Sequence, residues 1–159
     1  MDDLNLEVYL ADAGFDFEEK LLEQFLTDTN VYKTLICFDK YRHLNTLTRI
    51  TERYPQYKNK VKRLIESVVD LSDIFKNKYF YHPKMKENLR DLPAVFGFEI
   101  PENKDDKIKS DSLVGTAFEH LYKDGDLMHA IEIKEMLKYY MRGNIEALEL
   151  IYKGLKLEI

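Results

Sequence analysis

The chain has 159 residues, 45% hydrophobic and 33% charged, with a net charge of −5; this is the balance of one globular domain able to bury a core, not of a disordered chain. Six Gly and four Pro are too few for the turns of an all-β fold and favour long helices. The acidic balance disfavours general nucleic-acid binding, which rests on neutralising phosphates with Lys and Arg, and the lone Cys37 excludes an intramolecular disulfide and any cysteine-based zinc site.

Charge is unevenly placed along the chain. Residues 1–30 hold nine acids and one Lys, whereas Val31–Arg63 holds nine Lys or Arg and two acids. The acidic segment reads as one or two helices. Leu4, Val8 and Ala11 recur at helical spacing as far as Gly14. Asp16 then suits the cap of a second helix, with Glu19 three residues on in a loose capping box. Leu21, Leu22, Phe25 and Leu26 form the apolar face of that helix. Glu18, Glu19 and Glu23 form an acidic face near its start, where the helix dipole favours carboxylates.

Residues 31–53 read as the clearest long helix. Val31, Leu35, Phe38, Tyr41, Leu44, Leu47, Ile50 and Tyr54 follow one another at steps of three and four, and Arg42, Arg49 and Arg53 share a separate stripe. Pro55 ends this helix and suits the first turn of the next. The second helix is expected to run to about Tyr79, with Val61, Leu64, Ile65, Val68, Ser72, Phe75 and Tyr79 inward. Lys58, Lys60, Lys62 and Arg63 crowd its first half, where the dipole disfavours cations by roughly a few tenths of a kcal/mol each. A placement that costs stability suggests a use.

The remainder is read in two parts. Residues 80–111 are irregular: Pro83 opens a short helix with Met85, Leu89 and Leu92 on one side, Pro93 ends it, and Val95, Phe96, Phe98 and Ile100 form an extended segment over the bundle. Residues 101–111 are charged and poor in large apolar groups, as a mobile loop would be. Residues 112–155 divide into three helices. Gly125 with Asp126, and Gly143 with Asn144, are the stop-and-start pairs between them.

The basic face Arg42, Arg49, Arg53, Lys58, Lys60, Lys62 and Arg63, interleaved with Tyr41, His43, Tyr54 and Tyr57, is the strongest candidate site. Cations on one surface contact phosphates, and exposed aromatics stack on bases; the same cations also attract an acidic protein, or the chain's own acidic segment. Asp126, His129 and Glu132 share a helix face at metal-ligand spacing, but a helical-bundle site draws its ligands from several helices and only one partial set exists. A helix-turn-helix over residues 117–135 puts acids on the recognition helix and is rejected. Cys37 reads as a buried structural thiol.

The expectation is an all-α single-domain bundle of about six or seven helices. Its spine is the pair 31–53 and 56–79, with the C-terminal tail packed on that spine and residues 93–111 wrapped outside. No catalytic set, metal or cofactor is expected. The leading reading is a cytoplasmic, non-catalytic protein–protein interaction module, an adaptor or small inhibitor working through oppositely charged faces. The alternative is a nucleic-acid-binding helical subunit of a ribonucleoprotein or DNA-processing complex, using the face 42–63. Residues 1–14 lack a long apolar core, so no secretory leader is expected there, and no stretch approaches the roughly 18 apolar residues of a membrane span, so no membrane partner is expected.

Overall fold

The computed structural model describes residues 17–78, 89–99, 108, 111–123 and 127–155. The fold is all-α with one very small sheet. Its elements are α1 (Phe17–Thr29), β1 (Leu35–Cys37), α2 (Lys40–Arg53), a 3-10 turn (Pro55–Tyr57), α3 (Lys58–Ser67), β2 (Val68–Asp70), α4 (Leu71–Lys78), a 3-10 helix (Leu89–Phe96), α5 (Asp111–Lys123) and α6 (Leu127–Leu155). Two compact units carry these elements, one within Gly14–Lys84 and one within Met85–Gly154.

The N-terminal unit is built on α1 and α3. Leu22 and Leu26 of α1 pack with Tyr57, Val61 and Leu64, and Phe25, Leu47, Ile50 and Tyr54 close the cluster from the sides. Each fully buried aliphatic side chain in such a cluster contributes about 1.5–3 kcal/mol by transfer from water. By contrast α2 has no fully buried residue: Lys40, Leu44, Leu47, Ile50 and Thr51 are half-buried and the other residues of the helix are exposed.

Both long helices expected here are broken, at matching places. The helix expected from residue 31 begins only at Lys40, and the one expected from 56 to 79 is interrupted at Val68–Asp70. The interruptions pair as a parallel ladder, with Leu35 opposite Val68, Ile36 opposite Val69 and Cys37 opposite Asp70. Local chemistry explains the breaks. Ile36, Val68 and Val69 are β-branched and prefer the pleated conformation. Asp39 takes a left-handed backbone, φ 64°, a conformation that Asp tolerates better than most residues and that no helix continues through.

The Asp70 carboxylate fastens this junction. It accepts the backbone N–H of Asp39 (3.1 Å) and Lys40 (2.7 Å) at the start of α2, and that of Ser72 (2.8 Å) at the start of α4. One side chain thus satisfies orphan donors of two helices. Beyond it Leu71 and Phe75 are fully buried, and the Phe75 ring meets Phe38 edge-on at 6.5 Å.

In the C-terminal unit, α6 is continuous over 29 residues, so the stop expected at Gly143–Asn144 does not occur. The glycine serves a close approach instead. A Cβ on Gly143 would lie 2.7 Å from the Arg90 guanidinium carbon. Arg90 donates from Nη2 to the Tyr140 carbonyl (2.6 Å) and from Nε to Asn144 Oδ1 (3.1 Å), and stacks over the Tyr140 ring at 4.6 Å. Farther along, the Phe96 ring lies flush on Gly154, where no Cβ would fit. The 3-10 helix Leu89–Phe96 therefore rests on the two glycines of α6.

Two further expectations change. Pro93 does not end a helix but sits buried inside that 3-10 helix, which also takes in Val95 and Phe96. The fixed φ of Pro, near −65°, falls within the 3-10 range, so Pro fits there with the loss of one N–H donor. Ile108, placed in an expected mobile loop, is buried with Ile133, Leu137 and Tyr140. The expected helix around Leu4–Ala11, the Asp16 cap, Tyr79, the helix opening at Pro83, Ile100 and the Gly125–Asp126 stop lie outside the described residues.

Candidate interaction face

Burying the apolar side of α3 against α1 turns the cations of the 40–67 region outward. Arg42, Arg49, Arg53, Lys58, Lys60, Lys62 and Arg63 are all exposed. Pro55 opens a single 3-10 turn that joins α2 to α3 without a longer loop.

The aromatic residues behave differently from the sequence expectation. Tyr57, expected to stand among the cations as a stacking platform, is 9% exposed and belongs to the α1–α3 core. It is large and apolar enough to be recruited by Leu22 and Leu26, and burial pushes its hydroxyl pKa up, aided by the nearby charges of Glu23 and Glu19. Lys60 lies 5.8 Å above its ring, a cation–π contact on the outer rim of the core. Tyr54 is half-buried. Tyr41 and His43 remain exposed on α2.

The described part of the acidic segment meets these cations at the start of α1. Glu18 pairs with Arg53 and also accepts the Tyr54 hydroxyl (3.2 Å), while Glu19 accepts the side-chain amide of Gln56 (2.7 Å). The first turn of α1 is thereby latched onto the α2–α3 corner. Glu23, one turn on, is exposed. Elsewhere on the face, Arg42 lies 3.6 Å from Asp39 and Lys62 lies 4.0 Å from Glu66, both within their own stretch of chain and both largely solvated. Pairs of that kind contribute little and leave the cations able to exchange partners. Arg49 and Lys58 point to solvent. Lys60 and Arg63 rim a shallow open notch of about 90 Å³ between α1 and α3, lined also by Asn30, Tyr32 and Ser67.

Residues 2–89 match the family described as Domain of unknown function (DUF2779). The chain belongs to that family. The match takes in all of α1, α2 and α3, so the basic face is part of the DUF2779 domain, as is the β1–β2 junction. No curated protein and no solved structure matches the chain.

Two other candidates can be placed. Cys37 lies in β1 and not in a helix, and is half-buried. Burial pushes its thiol pKa up to about 11, reinforced by the charges of Asp70, Asp39 and Asp73 against the opposing pull of Lys40. His129 and Glu132 are exposed on α6, and Asp126 lies outside the described residues. No sequence signal marked Asp70 or Arg90. Each acts through a partner about thirty or more residues away in the chain, and only folding reveals such a pairing.

Proposed function

We propose that this protein is a non-catalytic interaction module, an adaptor or small inhibitor, that docks an acidic partner protein on the basic face of α2 and α3. The observation that carries this reading is the exposure of the cations: among the described residues Arg49, Lys58 and Arg63 stay exposed, while Glu18 and Glu19 of α1 engage Arg53 and Gln56. Support also comes from α2, a helix of 14 residues with no fully buried side chain; such a helix gains stability when a second surface covers it. Electrostatic complementarity would speed and orient the encounter rather than supply most of the affinity. No helix among the described residues is long and apolar enough to cross a membrane, and we place the module in the cytoplasm, where the lone thiol stays reduced.

A nucleic-acid partner is the second reading, favoured by exposed Tyr41 beside Arg42. It is weakened by the burial of Tyr57, which removes a base-stacking platform from the middle of the cations. The two separate in one experiment. The full chain is titrated with polyglutamate, single-stranded RNA and duplex DNA at two salt concentrations, alongside the Arg49→Glu/Lys58→Glu variant. Salt-sensitive binding of polyglutamate that the double variant loses supports the protein reading. Preference for a nucleic acid transfers the face to the second reading, and no binding to any of the three ends both.

A further inference from the structure

Where α1 ends, it forms with α3 the shallow notch of about 90 Å³. Leu26 and Leu64, both buried, lie at its base. From α3 come Lys60, Arg63 and Ser67, at steps of three and four that put them on one helix face. Thr29, Asn30 and Tyr32 come from the end of α1 and the residues after it. Among the described residues no acidic side chain lines the notch. Its polar groups are of two kinds. Ser67 and Thr29 already donate their hydroxyl protons to the carbonyls of Leu64 (2.7 Å) and Phe25 (2.6 Å). The Asn30 amide, the Tyr32 hydroxyl and the Arg63 guanidinium make no hydrogen bond or ion pair with any described residue. The Lys60 ammonium lies 5.8 Å above the Tyr57 ring, a contact that uses its charge and none of its N–H donors. One account of the two cations is structural: α1 has no base in its own last turn, and the partial negative charge of its terminal carbonyls attracts bases from a neighbouring helix. That account requires charge alone. It gives no reason for an amide and a phenol to line the same hollow.

We propose that this notch binds a phosphate dianion, free or as the terminal group of a monoester. The two full positive charges of Lys60 and Arg63 match the two negative charges of the ligand. Arg offers a planar fork of N–H groups and Lys a mobile point charge, and both suit phosphate oxygens. Asn30 and Tyr32 add neutral donors from the α1 side. Size restricts the ligand further. The notch volume of about 90 Å³ is that of about three waters in the liquid, enough for one tetrahedral oxyanion and too little for a nucleoside. The open mouth lets the rest of a monoester extend into solvent. This site shares Lys60 and Arg63 with the basic face but does not need Arg49 or Lys58, so it can fail while the docking of an acidic partner stands, and the reverse.

The test is an NMR titration of the ¹⁵N-labelled full chain with inorganic phosphate and, separately, with O-phosphoserine, each against sodium chloride at matched ionic strength. Saturable shifts in the millimolar range are expected at the Asn30 side-chain amide and along 29–32 and 60–67, with none from chloride. Arg63→Gln and Asn30→Ala should each weaken binding, the first by roughly tenfold. Lys58→Gln, on the solvent side of the same helix, should leave it unchanged, as should the Arg49→Glu/Lys58→Glu variant that loses polyglutamate. Tighter binding of phosphoserine assigns the site to a monoester, and tighter binding of inorganic phosphate assigns it to the free ion; either order supports the proposal. No saturable shift at tens of millimolar of both ligands would overturn it. Equal losses from Lys58→Gln and Arg63→Gln would overturn it too, since the notch would then differ in nothing from the rest of the basic face. So would an Arg63→Gln variant that binds phosphate like the parent and melts at a lower temperature, which returns this cation to the end of α1.

Discussion

Asp70 shows how much one side chain can hold when its partners are backbone groups. Burial alone would raise its pKa, but the N–H groups of Lys40, Ser72 and Asp39 outweigh that and hold the carboxyl below its usual range. A depressed folded pKa fixes the sign of the pH dependence. The stabilisation is complete above the unfolded value, about 3.9, and is lost as pH falls through the lower folded value. Asp70→Asn keeps the shape but replaces an acceptor with a donor opposite a donor. It should lower stability by about 1–2 kcal/mol in urea denaturation at pH 7, and the loss should shrink on going below pH 4. Cys37 supplies a second prediction at this scale. With its thiol pushed up to about 11 from 9.0, its thiolate fraction at pH 8 is about a hundredfold below that of a free thiol. Alkylation by iodoacetamide should be slower than for glutathione by at least that order, and should accelerate in denaturant.

At the scale of elements, Gly143 separates two roles that look alike in sequence. As a C-cap it would end a helix, whereas here it lies mid-helix under Arg90. Gly143→Ala should destabilise by about 1–2 kcal/mol, because Arg90 is anchored at Tyr140 and Asn144 and cannot withdraw without losing those bonds. In an Arg90→Ala background the same substitution should instead stabilise by about 1 kcal/mol, the helix propensity of Ala over Gly. A double-mutant cycle in thermal unfolding reads the change of sign. The element scale also shows what was legible from sequence. Leu22, Leu26, Val61 and Leu64 occupy the inward positions that periodicity assigns, and Pro55 starts a helical turn as its fixed φ requires. The strands were not legible. Leu35 and Phe38, or Ile65 and Val68, lie three apart and satisfy a helical period by chance, so a three-residue strand inside such a run leaves the count unchanged. The decisive contact, between Cys37 and Asp70, spans more than thirty residues. The cations of residues 42–63 are exposed, as charge requires, whereas Tyr57 is buried because an amphipathic ring can serve a core or a surface, and the neighbouring helix decides which.

Over the whole molecule, the separation of charge between residues 1–30 and 31–63 sets up a competition. Where the described α1 meets the basic face, Glu18 occupies Arg53 and Glu19 occupies Gln56. An acidic partner arriving at the face must leave that corner alone or displace it. Exposed pairs of this kind hold only weakly and are screened within about 10 Å at ordinary salt, so the latch tunes affinity rather than gating it. Glu18→Gln removes the charge that holds Arg53 while leaving Leu22 and Leu26 in the core. Polyglutamate binding should therefore tighten by roughly two- to fivefold at low salt, the range expected when one solvated cation is released to a polyanion. The gain should fade as salt rises toward 0.3 M, where about half of the screening length at 0.1 M remains. Arg53→Gln in the same assay should give no gain, because it breaks the same pair but removes the cation instead of freeing it. If Glu18→Gln and Arg53→Gln changed affinity equally, the effect would come from loosening α1, and the charge competition would be wrong.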